Sequence, residues 1–154
     1  MTTDGLRLRP RDGDECGALA DLWVESWAEA MPEIDFPARR AWFLDHLARL
    51  EADGALTLCA ARDGALLGFV TVDPAGGFID QIAVAPRAKG TGAGRALIAA
   101  ARARARSALR LDVNRDNPRA LRFYLREGFV VTGEGVNPRS GLAILHMRDA
   151  QGPG

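Results

Sequence analysis

An apolar, strand-like run from Phe78 to Ala85 breaks at Pro86, and the loop Arg87-Ala-Lys-Gly-Thr-Gly-Ala-Gly94 then leads into an alanine-rich helix that ends near Ser107. A strand that feeds a helix through a glycine loop commits the chain to a layered α/β arrangement, with the helix lying back on the sheet. The junction also gathers free backbone N–H groups and the positive end of a helix dipole at one point. Gly90, Gly92 and Gly94 remove side chains that would block an anion, and Arg87, Lys89 and Arg95 add positive charge beside them. Such a point suits a phosphate. A tight structural turn would use the same glycines, so the loop alone leaves both readings open.

Two phosphate-loop patterns can be compared directly. In the P-loop the lysine follows the last glycine, whereas Lys89 precedes Gly90. In the dinucleotide fingerprint, taking Gly90 and Gly92 as the first two glycines puts Arg95 where the third belongs. Asp112 does lie twenty residues after Gly92, but the 42 residues beyond it are too few to complete a dinucleotide domain.

The remaining pattern supplies the other elements. Leu6 to Arg9 alternates and stops at Pro10, and Asp14 is a candidate N-cap for a helix carrying Leu19, Leu22, Trp23, Trp27 and Ala30 at three- and four-residue steps. A second helix follows Pro37, with Trp42, Phe43, Leu47 and Leu50 on its inner side. Ala55 to Arg62 and Ala65 to Val72 flank Asp63-Gly64, the dipeptide of a type I′ hairpin. Leu109 to Val113 reads as a further strand. Asn117-Pro118 and Gly128 then bracket a helix with Leu121 and Leu125 as its buried pair and Arg119, Arg122 and Arg126 as a solvated stripe. Phe129 to Gly133 and Leu142 to Met147 complete the sheet, and Gln151 to Gly154 reads as a frayed end. The order β-α-α-β-β-β-α-β-α-β-β predicts an α/β fold, a central mixed sheet flanked by about four helices on both faces.

A length of 154 residues with 47% hydrophobic content is expected to form one domain, residues 1–154. Net charge is zero, which argues against a dedicated nucleic-acid or membrane-surface binder. The zero is a balance of halves: residues 1 to 76 hold fourteen acids and seven arginines, residues 77 to 154 six acids and thirteen bases. The run Arg102, Arg104, Arg106 and Arg110 lacks interleaved aromatics and reads as solvated surface. Cys16 and Cys59 have neither metal spacing nor disulfide density and are expected as buried thiols; His46 and His146 are not a metal site, and neither is assigned a role. With no apolar leader at Met1 to Arg7 and no apolar run of membrane length, the expected location is cytoplasmic.

The run Ile82 to Leu97 resembles the acyl-coenzyme A loop of the GNAT superfamily of N-acetyltransferases, with Arg87, Gly90 and Gly92 at its signature positions. About thirty residues on, Asn117-Pro-Arg-Ala120, then Phe123-Tyr124 and Gly128-Phe129, resembles that family's second motif. The order of elements agrees, and the resemblance covers residues 5 to 148. It implies a GNAT-like fold with acetyl-coenzyme A as cosubstrate and no metal. The pyrophosphate would lie on the amides of Lys89, Gly90, Thr91, Gly92, Ala93, Gly94 and Arg95 beside Arg87, and the pantetheine arm along Ile82, Ala83 and Val84 like an added strand. Asn117 would serve both as N-cap and as a polar contact to the cofactor.

The implied reaction is attack of an amine on the thioester. An amine of pKa about 10.4 must first be deprotonated at pH 7, at a cost of about 4.6 kcal/mol. Tyr124 is the candidate acid for the departing thiolate. Period-two alternation puts Phe78, Asp80, Ile82 and Val84 on one face of their strand and Gln81 and Ala83 on the other. If the first face lines the acyl site, as the resemblance implies, Asp80 is the carboxylate nearest the thioester and the candidate base, with a water chain or an arginine-paired surface aspartate as alternatives. By the same resemblance, the segment between the first two helices is expected to help wall the acceptor site, with Trp27, Glu33 and Asp35 as candidate contacts for a cationic small molecule or peptide amine. A homodimer is allowed for; nucleic acid and membrane are not expected as partners. The competing reading is a non-catalytic acyl-coenzyme A sensor or partner module of the same fold.

Overall fold

The computed structural model describes residues 5–151. Strand β1 (Arg7–Pro10) is followed by helix α1 (Cys16–Ala30), a short 3-10 turn (Pro37–Arg39) and α2 (Arg40–Ala52). Strands β2 (Leu56–Arg62), β3 (Ala65–Val72) and β4 (Phe78–Val84) lead through a second 3-10 turn (Pro86–Ala88) into α3 (Ala93–Arg104). The chain continues with β5 (Arg110–Asn114), α4 (Pro118–Arg126), β6 (Phe129–Val136) and β7 (Ala143–Asp149). One mixed sheet of seven strands runs β1-β2-β3-β4-β5-β7-β6. All neighbours are antiparallel except β4 and β5.

The expected order of elements is the observed one. Asp63 and Gly64 both take positive φ, 51° and 78°, as the type I′ turn between β2 and β3 requires. Helices α1 and α2 cover one face of the β1–β4 half, where Phe43 of α2 meets Phe69 of β3 edge-on at 5.7 Å and Trp23 of α1 meets Phe36 edge-on at 5.4 Å. Helix α3 packs on the other face against β1 to β4, and α4 lies on that side against β5 and β6. With helices on both sides, Leu58 to Ala61 of β2 are buried without interruption, as a two-sided strand must be. Asp149, 0% exposed, is held by Arg102 of α3 through an Nε–Oδ2 bond of 2.7 Å, which fixes the end of β7 to that helix.

Four local expectations need correction. Asp14 does not cap α1: Glu15 stands at the N-cap without a side-chain cap bond, because its carboxylate is taken by both terminal nitrogens of Arg9 at 2.9 and 2.7 Å. Leu121 and Leu125 are not a buried pair; Leu125 is 48% exposed and Tyr124 fills the inner position of α4. Cys59 is buried but Cys16 only half-buried, since the latter opens α1 at the rim of the core. Gln151 is tied down, its amide donating to Asp149 Oδ1 at 3.0 Å, while residues 152–154 of the segment expected to fray, and residues 1–4 of the segment expected to lack a leader, lie outside the described residues.

Candidate active site

Strands β4 and β5 pair only at Phe78–Arg110 and Ile79–Leu111. Beyond these residues β4 runs on to Val84 and β5 to Asn114 without pairing to each other, so a wedge opens at the carboxyl ends of two parallel strands, the place where open α/β sheets admit ligands. Its β4 wall is irregular. Val70 pairs with Ile82 and Val72 with Ile79, which leaves both Asp80 and Gln81 opposite Thr71. The amide displaced by this bulge is satisfied locally, Gln81 N donating to Thr71 Oγ1 at 2.9 Å.

The bulge overturns the simple alternation expected for this strand. Asp80 and Gln81 both face α1 and α2: Trp23 Nε1 of α1 donates to Gln81 Oε1 at 2.9 Å, and His46 Nε2 of α2 lies 2.6 Å from Asp80 Oδ1. Gln81 Nε2 also donates to Asp80 Oδ1 at 2.9 Å. Val84, paired with Gly68 against Leu97 of α3, turns to the opposite face, as does Ile82 beside Val70. One inserted residue therefore parts Asp80 from Ile82 and Val84, with which period two had grouped it.

At the mouth of the wedge, Gly90 and Gly92 adopt φ of 82° and 87°, a region that side chains disfavour. Within the loop, the amides of Lys89 and Thr91 donate to Pro86 O at 3.3 Å and Ala88 O at 3.2 Å, and Ala93 N donates to Thr91 Oγ1 at 3.3 Å. Those of Gly90, Gly92, Gly94 and Arg95 have no acceptor among the described residues, so four of the seven expected anion-binding amides are free. Gly94 also packs closely: a Cβ there would lie 3.1 Å from the Phe123 ring of α4, which would have to shift by a few tenths of an ångström. Each cation of the loop meets a carboxylate. Arg87 pairs with Glu25 at 3.2 Å, Lys89 with Glu29, and Arg95 with Glu127 at 3.4 Å. Glu29 also lies 3.7 Å from Arg119 of α4.

Asn117 accepts from Ala120 N at 3.2 Å and so caps α4, whose inner face presents Tyr124 between Phe123 and Phe129, edge-on at 5.3 and 5.8 Å. Tyr124 is 8% exposed. Burial pushes its phenol well above the ordinary tyrosine value, so the group is an O–H donor at every working pH, and its hydroxyl has no hydrogen-bond partner among the described residues.

Of the acceptor-side candidates, Trp27 stacks on Phe36 at 5.7 Å, Asp35 Oδ1 accepts from Ala38 N at 3.2 Å to start the 3-10 turn, and Glu33 is exposed. No hydrogen bond or ion pair among the described residues joins Glu33 or Asp35 to Asp80. The Asp80–His46 pair is instead flanked by two clefts. One of about 390 Å³ lies between α2 and the β6–β7 loop and is lined by Trp42, His46, Arg49, Leu50, Asp53 and Arg139. A smaller one of about 190 Å³ includes Leu50, Asp53, Thr71, Phe78 and Asp80. The ring of His46 is stacked on Trp42 at 4.6 Å, and the Arg139 guanidinium lies over Trp42 at 4.7 Å. Sequence reasoning gave His46 no role; its position four residues after Trp42, one helical turn away, was the available signal. On the neighbouring strands a second pair forms, His146 Nδ1 of β7 lying 2.6 Å from Asp112 Oδ1 of β5. Among the described residues no group of three or more His, Cys, Asp and Glu side chains is placed to hold a metal ion.

A family model described as the acetyltransferase (GNAT) family matches residues 7–129. A mycothiol acetyltransferase from Parafrankia sp. (strain EAN1pec) is 34% identical over 144 residues, which cover 75% of this chain and 44% of that protein. The chain thus spans less than half the length of this curated relative. A GCN5-related N-acetyltransferase structure from Rhodopseudomonas palustris superposes with a TM-score of 0.74 at 24% identity, covering 97% of this chain and 98% of that one. PaiA N-acetyltransferase from Thermoplasma acidophilum, solved in complex with coenzyme A, superposes with a TM-score of 0.72 at 18% identity, covering 92% and 97%. At these identities the structural likeness is one of fold.

Proposed function

Because this chain belongs to the GNAT acetyltransferase family, we propose that it transfers an acetyl group from acetyl-coenzyme A to a primary amine of a small molecule or peptide, by direct attack of the amine on the thioester. The observation that carries the reading is the unpaired edge of β4 next to the four free loop amides. These features fit the cosubstrate: the glycines clear a path to the backbone, the amides and α3 dipole suit a pyrophosphate, and the open edge from Gln81 to Val84 suits an extended arm with peptide-like groups. Bound acetyl-coenzyme A supplies the activated acyl carbon and a thiolate leaving group.

The chain's own residues do the rest. Gly90, Gly92, Gly94 and Arg95 bind through their amides, with Arg87 and Lys89 as partners once released from Glu25 and Glu29. Tyr124 gives its phenolic proton to the leaving sulfur, a role consistent with a hydroxyl kept protonated by burial. Asp80 supplies the basic side of the site. A small-molecule acceptor draws further support from the mycothiol acetyltransferase relative. We place the enzyme in the cytoplasm on the same reading; among the described residues no helix is long and apolar enough to cross a membrane.

Thermal shift with acetyl-coenzyme A, coenzyme A, NAD and ATP in separate samples tests the binding half. Stabilisation by the two coenzyme A forms is expected, and its absence at saturating concentration overturns the proposal. Release of free thiol from acetyl-coenzyme A against a panel of amines tests the transfer; binding without thiol release on any amine would support the sensor reading instead.

A further inference from the structure

The geometry around Asp80 points to His46 as the group that takes the acceptor's proton, with Asp80 as the residue that positions it. The inference rests on the acetyl-transfer reading above and moves the basic atom within it from a carboxylate oxygen to an imidazole nitrogen.

A chain of hydrogen bonds fixes the proton on the ring. The indole Nε1–H of Trp23 is a donor only, so the group it meets at 2.9 Å must be the amide oxygen of Gln81. That orients Gln81 Nε2 toward Asp80, where it donates to Oδ1 at 2.9 Å. Asp80 Oδ1 thus already receives one N–H and serves as a carboxylate acceptor. His46 Nε2 approaches the same oxygen at 2.6 Å, a contact that needs a proton between the two atoms, and the proton belongs to Nε2. Committing Nε2–H to Asp80 leaves the lone pair of the ring on Nδ1. The bonded side chains are 11% and 24% exposed for His46 and Asp80, so the pair is sheltered but not sealed.

Packing fixes the ring plane and gives it an exit. Trp42 stacks on His46 with an interplanar angle of 15°, and Arg139 of the β6–β7 loop covers Trp42. His46 lines the larger cleft, whose charged groups are Arg49 of α2, Asp53 at the C-cap of that helix and Arg139. From the sheet the ring is faced by Asp80 and Gln81 of β4, and from α1 by Trp23 through Gln81. Asp80 lines the smaller cleft and His46 the larger, so the pair spans the partition between them.

The reaction balances as R–NH3+ plus acetyl-S-coenzyme A giving R–NH–CO–CH3, HS-coenzyme A and H+. The ammonium proton passes to Nδ1 of His46, and the resulting imidazolium lies against the Asp80 carboxylate. The freed nitrogen lone pair forms the C–N bond as the C–S bond breaks. Tyr124 O–H protonates the sulfur and regains a proton from the new amide nitrogen, and His46 loses its proton to water in the cleft. An imidazole is a far better proton acceptor near neutrality than a carboxylate, which is the advantage of moving the role to His46.

The chain has two histidines, His46 and His146, so ring-nitrogen NMR of the full chain gives two signal sets that His146→Gln assigns. The neutral His46 ring should report Nε2–H with a bare Nδ1, and Asp80→Asn should abolish this preference. An Nδ1–H tautomer for His46 in the unsubstituted protein overturns the proposal. In the thiol-release assay, His46→Gln should lower kcat at pH 7 about 30-fold or more, leave KM for acetyl-coenzyme A within about twofold, and recover rate as pH approaches the acceptor's own pKa. An unchanged kcat–pH profile in His46→Gln also overturns it. Absence of turnover by the unsubstituted protein on every amine counts against the transfer reading, whereas the tautomer measurement judges the His46–Asp80 pairing independently.

Discussion

Tyr124 combines two properties that seldom coincide, a buried ring and a hydroxyl without a protein partner among the described residues. Tyr124→Phe keeps the aromatic packing against Phe123 and Phe129 and removes one oxygen, so it should leave the melting temperature and the stabilisation by coenzyme A nearly unchanged while kcat falls about a hundredfold. Retention of full kcat with a good acceptor would show that another group or water protonates the sulfur. Elsewhere the Glu15 carboxylate links stability to pH. The Arg9 guanidinium holds Glu15 at about 2, below its ordinary value of 4.5. Because the folded-state value is depressed, the contribution is fully present above pH 4.5 and is lost as pH falls toward 2. The unfolding free energy from chemical denaturation across pH 5 to 2 should fall less steeply in Glu15→Gln than in the parent, by a total on the order of 1 kcal/mol. Cys59 follows the opposite rule: burial pushes its thiol up to about 12, in keeping with a structural and unreactive role.

Elements bracketed by local signals were readable in the sequence, because a cap or a turn is decided by its own few residues. The Asp63-Gly64 turn and the Asn117-Pro118 start of α4 are of this kind, and the loop before α3 belongs with them. The β4 bulge was not readable. It arises from the register that β3 imposes on Asp80 and Gln81, and nothing within β4 announces it. The His46–Asp80 pair depends on that bulge and was hidden with it, as was the bond that Gln81 donates to Asp80. The same logic exposes a glycine that carries no motif. Gly77, just before β4, has φ of 76°, and a Cβ there would lie 2.4 Å from the carbonyl oxygen of Ala108, backbone that cannot swing aside. Gly77→Ala should therefore cost about 2 kcal/mol or more in chemical denaturation, against a near-neutral change for Gly13→Ala, where no atom lies within 4 Å.

Across the whole molecule the acidic and basic halves of the sequence meet at the mouth of the wedge. Glu25 and Glu29 of α1, from the acidic half, hold Arg87 and Lys89 of the loop, from the basic half. Lys89 and Arg119 hold the carboxyl of Glu29 below its usual range, so it stays ionised and competes with any incoming phosphate. Glu29→Gln should accordingly tighten coenzyme A binding about two- to fivefold at low salt, the gain shrinking as ionic strength rises in calorimetric titrations. The two-pair contact between β4 and β5 has a mechanical consequence as well. With a ladder this short, the β1–β4 slab and the β5–β7–β6 slab are joined like two leaves along a narrow spine, and a bound molecule spanning both would act as a splint. Amide exchange of Asp112 to Asn114 and Gln81 to Val84 should then slow together on addition of coenzyme A, while the spine itself sets how far the leaves can part without it.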